Sequence, residues 1–139
     1  MHDVEKVQAY ITRETAAGRE LLVFMQVSKP YELVEVPGGT VDPGEPPDDA
    51  VLREVLEESG LTGRIARKLA AELRQSPSHT ELRHVYHIEA DELPETWLHT
   101  VTGCGDDCDM LFRYFWLPVE AAKVELDWMG QWLDLLEAP

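Results

Sequence analysis

Apolar and polar positions alternate from Val4 to Thr12, with Val7, Ala9 and Ile11 at every second place. That pattern predicts a strand with one face in the core. Gly18 marks the turn after it, and Leu21-Leu22-Val23-Phe24-Met25 is an unbroken apolar run of strand length, suited to a strand covered on both faces. A third short strand is expected from Tyr31 to Val36, ended by Pro37. The glycines and prolines of 38–44 predict a loop, with Pro43-Gly44 suited to a type II turn. A helix follows: Pro46 and Pro47 are tolerated only in a first turn, Asp48 and Asp49 suit the positive end of the helix dipole, and Gly60 stops the run. Strands are expected again from Leu82 to Glu89 and from Met110 to Leu117. Leu126, Met129, Trp132, Leu133 and Leu136 recur at helical spacing and predict a closing amphipathic helix from Leu126 to Leu136. Strands interrupted by two helices predict a layered α/β or α+β fold, and 139 residues is the length of one domain, so 1–139 reads as a single unit.

Composition narrows the function. At 44% hydrophobic and 28% charged residues, the chain can bury enough apolar surface to fold. Its net charge of -15 repels phosphate backbones, which argues against nucleic acid as a partner. No apolar run approaches the ~18 residues of a membrane span, and the first residues lack the basic start and apolar stretch of a signal peptide. A soluble, cytoplasmic protein with no membrane partner is the expectation. Two cysteines, Cys104 and Cys108, are too few for a disulfide framework. A homodimer is compatible with the sequence, which does not fix the oligomeric state.

The chemistry concentrates between Gly39 and Leu61, which read G-x5-E-x7-R-E-V-x-E-E-x-G-L. On a helix, Arg53, Glu54, Glu57 and Glu58 share an arc of about 140°, with Val51, Leu52, Val55 and Leu56 on the opposite side. One face is expected to pack and the other to be acidic. Three carboxylates on neighbouring turns repel one another, and only Arg53 is at hand to pair with them. A hard divalent cation removes that repulsion, and carboxylate oxygens with waters are what Mg2+ or Mn2+ prefers. Gly38 and Gly39 serve as turn residues that also let the backbone approach the site closely.

This segment resembles the Nudix box and matches it at every defining position. The resemblance implies an α/β/α sandwich around a mixed central sheet. It also implies Mg2+-dependent hydrolysis of a diphosphate linkage in a small nucleotide, a nucleoside diphosphate joined to some group X. In the family's terms a backbone carbonyl at Gly39 and the carboxylates of Glu54, Glu57 and Glu58 hold the metal, while Arg53 pairs with Glu45 to orient the helix. Family members often carry Ser or Thr after the first box Glu; Pro46 stands here, which leaves the helix without that cap. The alternatives are a nucleoside triphosphate pyrophosphatase and a domain that senses nucleotides without turnover.

Outside the box the signals are thinner. Pro77 lies near where ADP-ribose members tend to carry a proline, though a turn explains it as well, and Ser78 and His79 replace the tyrosine typical of diadenosine polyphosphate members. Arg64, Arg67, Lys68 and Arg74 form the only basic cluster; Arg64 is a candidate for a terminal phosphate, against the plainer reading of solvated charges. Gly103 to Asp109 is loop-like, and Asp106, Asp107 and Asp109 are candidates for an accessory acid or base, against a solvated acidic turn. His99, Cys104 and Cys108 fall short of the four ligands of a structural zinc site. The four tryptophans read as packing residues, and His84 and His87 as opposite-facing strand residues without an evident partner.

Overall fold

The computed structural model describes residues 2–103 and 108–137. Seven strands run β1 (Val4–Thr15), β2 (Gly18–Gln26), β3 (Gly38–Thr40), β4 (Gly63–Gln75), β5 (Thr80–Ala90), β6 (Trp97–Thr100) and β7 (Leu111–Pro118). Helix α1 spans Pro47–Ser59 and helix α2 Val119–Glu125, followed by 3-10 turns at Asp127–Gly130 and Leu133–Glu137. The sheet order is β4-β5-β1-β2-β7-β6, with β3 also paired to β1. The β1–β5 pair is parallel and the others are antiparallel, so the sheet is mixed as expected.

Parity along the strands decides the layers. Val7, Ala9, Ile11, Leu22, Phe24, Tyr86 and Ile88 point to the face covered by α1, where Ala50, Val51 and Val55 meet them. Tyr10, Leu21, Val23 and Val85 point to the other face, beneath α2 and the 3-10 turns. The apolar run in β2 thus serves both layers, which is why it shows no alternation. Among the described residues no helix is long and apolar enough to cross a membrane.

Several elements differ from the sequence reading. Tyr31 to Val36 is not a strand: only Glu35 bridges to Phe24, and Tyr31 is 82% exposed. Pro30 and Pro37 flank the segment and lack the N–H a longer ladder needs. Gly38 to Thr40 is strand instead of loop, laid against Lys6, Val7 and Gln8 of β1. β4 was missed because its Arg-, Lys- and Ala-rich sequence lies at a sheet edge, with two register shifts against β5. β6 is only four residues long. The closing helix is interrupted: Asp127 takes φ 54°, and the chain continues in 3-10 turns. Leu126, Trp132, Leu133 and Leu136 are buried nevertheless, so the apolar pattern reported burial correctly and helix type wrongly.

Candidate active site

Helix α1 begins without a side-chain cap at Pro46; instead the Pro46 carbonyl accepts from the amides of Asp49 and Ala50. It ends at Gly60, whose φ of 81° is the left-handed conformation glycine adopts freely, and whose N–H donates to the Leu56 carbonyl. Val51 and Val55 pack into the core, but Leu56, expected to pack beside them, is 51% exposed. At 100° per residue it lies past the edge of the buried stripe.

Arg53 organises the acidic face. Its Nε and Nη2 donate to the two oxygens of Glu45, both at 2.9 Å, a bidentate pair. Its Nη1 donates to Glu54 at 2.9 Å and Glu57 at 3.1 Å, and its Nη2 also reaches the Thr40 carbonyl at 3.0 Å. The guanidinium holds the Glu45 carboxyl below the usual carboxylate range. Glu54 behaves oppositely: burial pushes it up to about 7, against the pull of Arg53, with the charges of Glu57 and Asp42 adding to the rise. Glu58 is set apart from its neighbours on the acidic face. Only 4% exposed, it turns beneath the glycine strand, and its carboxylate accepts from the Gly38 amide at 3.0 Å.

Both glycines make room for the site. A Cβ at Gly39 would stand within 2.5 Å of the Glu54 carboxylate oxygens, and one at Gly38 would overlap the Val7 carbonyl oxygen. Gly103 performs a similar service from the β6–β7 connection: a Cβ there would lie 2.6 Å from Glu57 Oε2. Backbone and carboxylates are therefore in contact, an arrangement of oxygen donors that fits a hard divalent cation. Among the described residues no three carboxylate, imidazole or thiol groups close on one point, because Arg53 draws Glu54 and Glu57 aside while Glu58 faces Gly38.

The same glycines border a pocket of about 190 Å³ lined also by Lys6, Phe24, Glu35, Glu58, Arg83 and Trp128. Arg83 is buried; it donates to Gln8 and to both oxygens of Glu81, and its Nε has no hydrogen-bond partner. Sequence reasoning missed Lys6 and Arg83 because β1 and β5 bring them together from 77 positions apart.

The outlying candidates are dispersed. Arg64 pairs with Asp91 at 2.8 Å, Arg67 donates to the Leu135 carbonyl, Lys68 meets His84, and Arg74 pairs with Glu81 and lies over Trp128. The basic cluster is a strand edge whose charges have separate partners. His84 and His87 do have partners, Glu5 and Lys68 for the first and Thr12 for the second. Pro77 sits in the tight connection closed by the Ser76 amide on the His79 carbonyl. Asp109 is exposed at φ 69°, with its amide on the Val101 carbonyl, as a turn residue would be. Asp106, Asp107 and Cys104 lie outside the described residues. His99 gives its Nε2–H to the Glu57 carbonyl.

Arg53→Lys tests the organising pair. A single ammonium cannot donate in a fork to Glu45 while reaching Glu54, Glu57 and Thr40. The variant is expected to lose about a hundredfold in kcat, on the scale of a misplaced reacting group, and to melt several degrees lower. Wild-type turnover and melting temperature would dispose of the pair.

The NUDIX domain family profile matches residues 5–136. Diphosphoinositol polyphosphate phosphohydrolase 3-alpha of Homo sapiens is 41% identical over 68 residues, covering 48% of this chain and 40% of that protein. Diphosphoinositol polyphosphate phosphohydrolase 2 of Rattus norvegicus is 39% identical over 66 residues, covering 48% of this chain and 36% of that protein. The similarity therefore spans about two fifths of the length of these relatives. Among solved structures, a C. elegans Ap4A hydrolase in a binary complex superposes with a TM-score of 0.73 at 22% identity, over 98% of this chain and 96% of that one. A UDP-X diphosphatase superposes with a TM-score of 0.66 at 16% identity, over 96% and 60%.

Proposed function

This chain belongs to the Nudix hydrolase family, and from that premise we propose that it hydrolyses a diphosphate linkage in a nucleoside diphosphate joined to a group X, using Mg2+ or Mn2+. The observation that carries the proposal is the contact of the Gly39 backbone with the Glu54 carboxylate beside Glu57, in a box where every defining residue is present. Glu54, Glu57, Glu58 and the Gly39 carbonyl would hold the metal. A bound cation there screens the substrate's charge and lowers the pKa of a water for attack on phosphorus.

The chain's own residues supply position. Arg53 and Glu45 hold the helix against the Thr40 backbone. The pocket beside Gly38 and Gly39 has room for one ring-sized moiety next to the diphosphate, and its lining balances Lys6 and the Glu81-paired Arg83 against Glu35 and Glu58. The similar phosphohydrolases are named for a diphosphoinositol polyphosphate, whose bond type agrees with the proposal. A heavily phosphorylated ring, however, would want free cations, and the basic residues of β4 are engaged elsewhere. That favours a nucleotide with few phosphates beyond the bond cut. We place the enzyme in the cytoplasm, without nucleic acid or membrane as partners.

A panel of nucleoside diphosphate-X compounds, nucleoside triphosphates and diphosphoinositol polyphosphates, read by phosphate release after phosphatase coupling, tests this. The expected result is Mg2+-dependent release of a nucleoside monophosphate and a phosphorylated X, abolished by chelator. Pyrophosphate released from triphosphates would favour the pool-cleansing alternative, and binding without turnover the sensing one. The general base is assigned by Asp106→Asn, Asp107→Asn and Asp109→Asn made singly. A loss of about a hundredfold in kcat places the base in the loop. Activity within a few-fold of wild type in all three places it among Glu54, Glu57 and Glu58.

A further inference from the structure

The last turn of α1 carries Glu57, Glu58 and Ser59, whose carbonyls have no helical amide left to accept from. Water meets such groups on most helices. Here each is taken by a side-chain donor from β6 or β7. His99 Nε2 is 2.9 Å from the Glu57 carbonyl, the Tyr114 hydroxyl donates to the Glu58 carbonyl at 2.8 Å, and Trp97 Nε1 donates to the Ser59 carbonyl at 2.9 Å. A carbonyl only accepts, so the His99 proton sits on Nε2. The Thr102 amide adds a second bond to Glu57 at 3.0 Å.

The donors form one unit. Trp97 and Tyr114 are register partners across β6 and β7, and their rings stack at 4.8 Å with planes 12° apart. His99 lies two residues along β6, on the same side. Gly60 completes the fit, since a Cβ there would come within 3.1 Å of the His99 ring. Ending the helix does not need these rings, because the Gly60 amide already closes the last turn on Leu56. What they add is a fixed height and rotation for Glu57, whose carboxylate meets Arg53 and the Gly103 backbone, and for Glu58, whose carboxylate accepts from the Gly38 amide. That strand is independently fixed to β1 by the pairs Lys6–Thr40, Val7–Gly39 and Gln8–Gly38. The two halves of the site are thus held to one frame, the sheet.

We propose that Trp97, His99 and Tyr114 are positioning residues that set the Glu58 carboxylate against the Gly38 backbone and the Glu57 carboxylate beside Gly103, and so tune metal affinity. The proposal rests on the metal reading above. Mg2+ demands near-ideal octahedral geometry at about 2.0–2.1 Å, so a small displacement of two ligands weakens binding without unfolding the protein.

Mn2+ binding to the substrate-free chain, followed by electron paramagnetic resonance well below the melting temperature, is the measurement, with kcat and KM beside it. Tyr114→Phe removes only the hydroxyl and keeps the stack with Trp97. It is expected to bind Mn2+ about fivefold to tenfold more weakly and to lose about tenfold in kcat at saturating Mg2+, with KM for the nucleotide within twofold. Because Tyr114 is fully buried and its variant can lose stability, His99 provides an independent pair of variants. His99→Gln retains an N–H for the Glu57 carbonyl and should keep most of the Mn2+ affinity; His99→Leu should lose it. Wild-type Mn2+ affinity in both Tyr114→Phe and His99→Leu overturns the clamp. No Mn2+ binding by the wild-type chain overturns the metal reading itself, and the clamp with it.

Discussion

Glu57→Gln is expected to lower kcat by about a thousandfold, equivalent to about 4 kcal/mol of transition-state stabilisation. The amide keeps the shape of the side chain and removes the charge that a metal ligand supplies. The Glu57 carboxylate accepts from Arg53 Nη1 at 3.1 Å, and the absent side chain of Gly103 leaves the space it occupies. Glu54 lies on the other side of the same guanidinium nitrogen, so the two carboxylates are already neighbours. Folding should be spared, because relief of the repulsion between Glu54 and Glu57 offsets the lost bond to Arg53. Circular dichroism melting separates the two effects. A variant that melts like wild type and turns over like wild type removes Glu57 from the metal site.

Gly38→Ala should produce the largest loss of stability from a single methyl group, about 3 kcal/mol, the upper range for overpacking, or about 10 °C in melting temperature. The added Cβ would overlap the Val7 carbonyl oxygen and come within 3.3 Å of Gln8 Cα, both backbone atoms of β1. No rotamer change relieves a backbone contact. Relief requires β3 to move off β1, which breaks the three-residue pairing and withdraws the Gly38 amide from Glu58. Gly44→Ala is the comparison: its φ is 78°, but nothing lies within 4 Å of the new atom, so the cost is the conformational one alone, about 1 kcal/mol. Equal urea midpoints for the two variants would contradict the close approach of β3 to β1.

Legibility in the sequence followed the range of the interaction. The limits of α1 were readable because Pro47 and Gly60 act on their own backbone, and the grouping of Glu54, Glu57 and Glu58 with Arg53 because their spacing is a property of one helix. The strands β1, β2, β5 and β7 were readable because burial on a pleated face imposes period two or an unbroken apolar run. β4 carries little of that imprint, since an edge strand is stabilised by ladder bonds that any residue can make. The Tyr31 to Val36 segment carries the imprint but lacks a neighbour to pair with beyond Phe24. In the C-terminal segment, burial of Leu126, Trp132, Leu133 and Leu136 was legible while the interruption of the helix was not, since the positive φ at Asp127 leaves no mark on the pattern of apolar positions.

By itself, then, the sequence determined the layered fold, the family likeness and the acidic helix with its one arginine, all written within short stretches of chain. Only the tertiary structure decided that Glu58 turns under Gly38, that Gly103 backs Glu57, and that Lys6 and Arg83 share a pocket with the glycine strand. It alone placed Trp97, His99 and Tyr114 on the end of the helix. These contacts join residues from 20 to 77 positions apart. Their geometry is set by strand pairing and by the missing Cβ atoms of particular glycines, and no periodicity along a single segment encodes either.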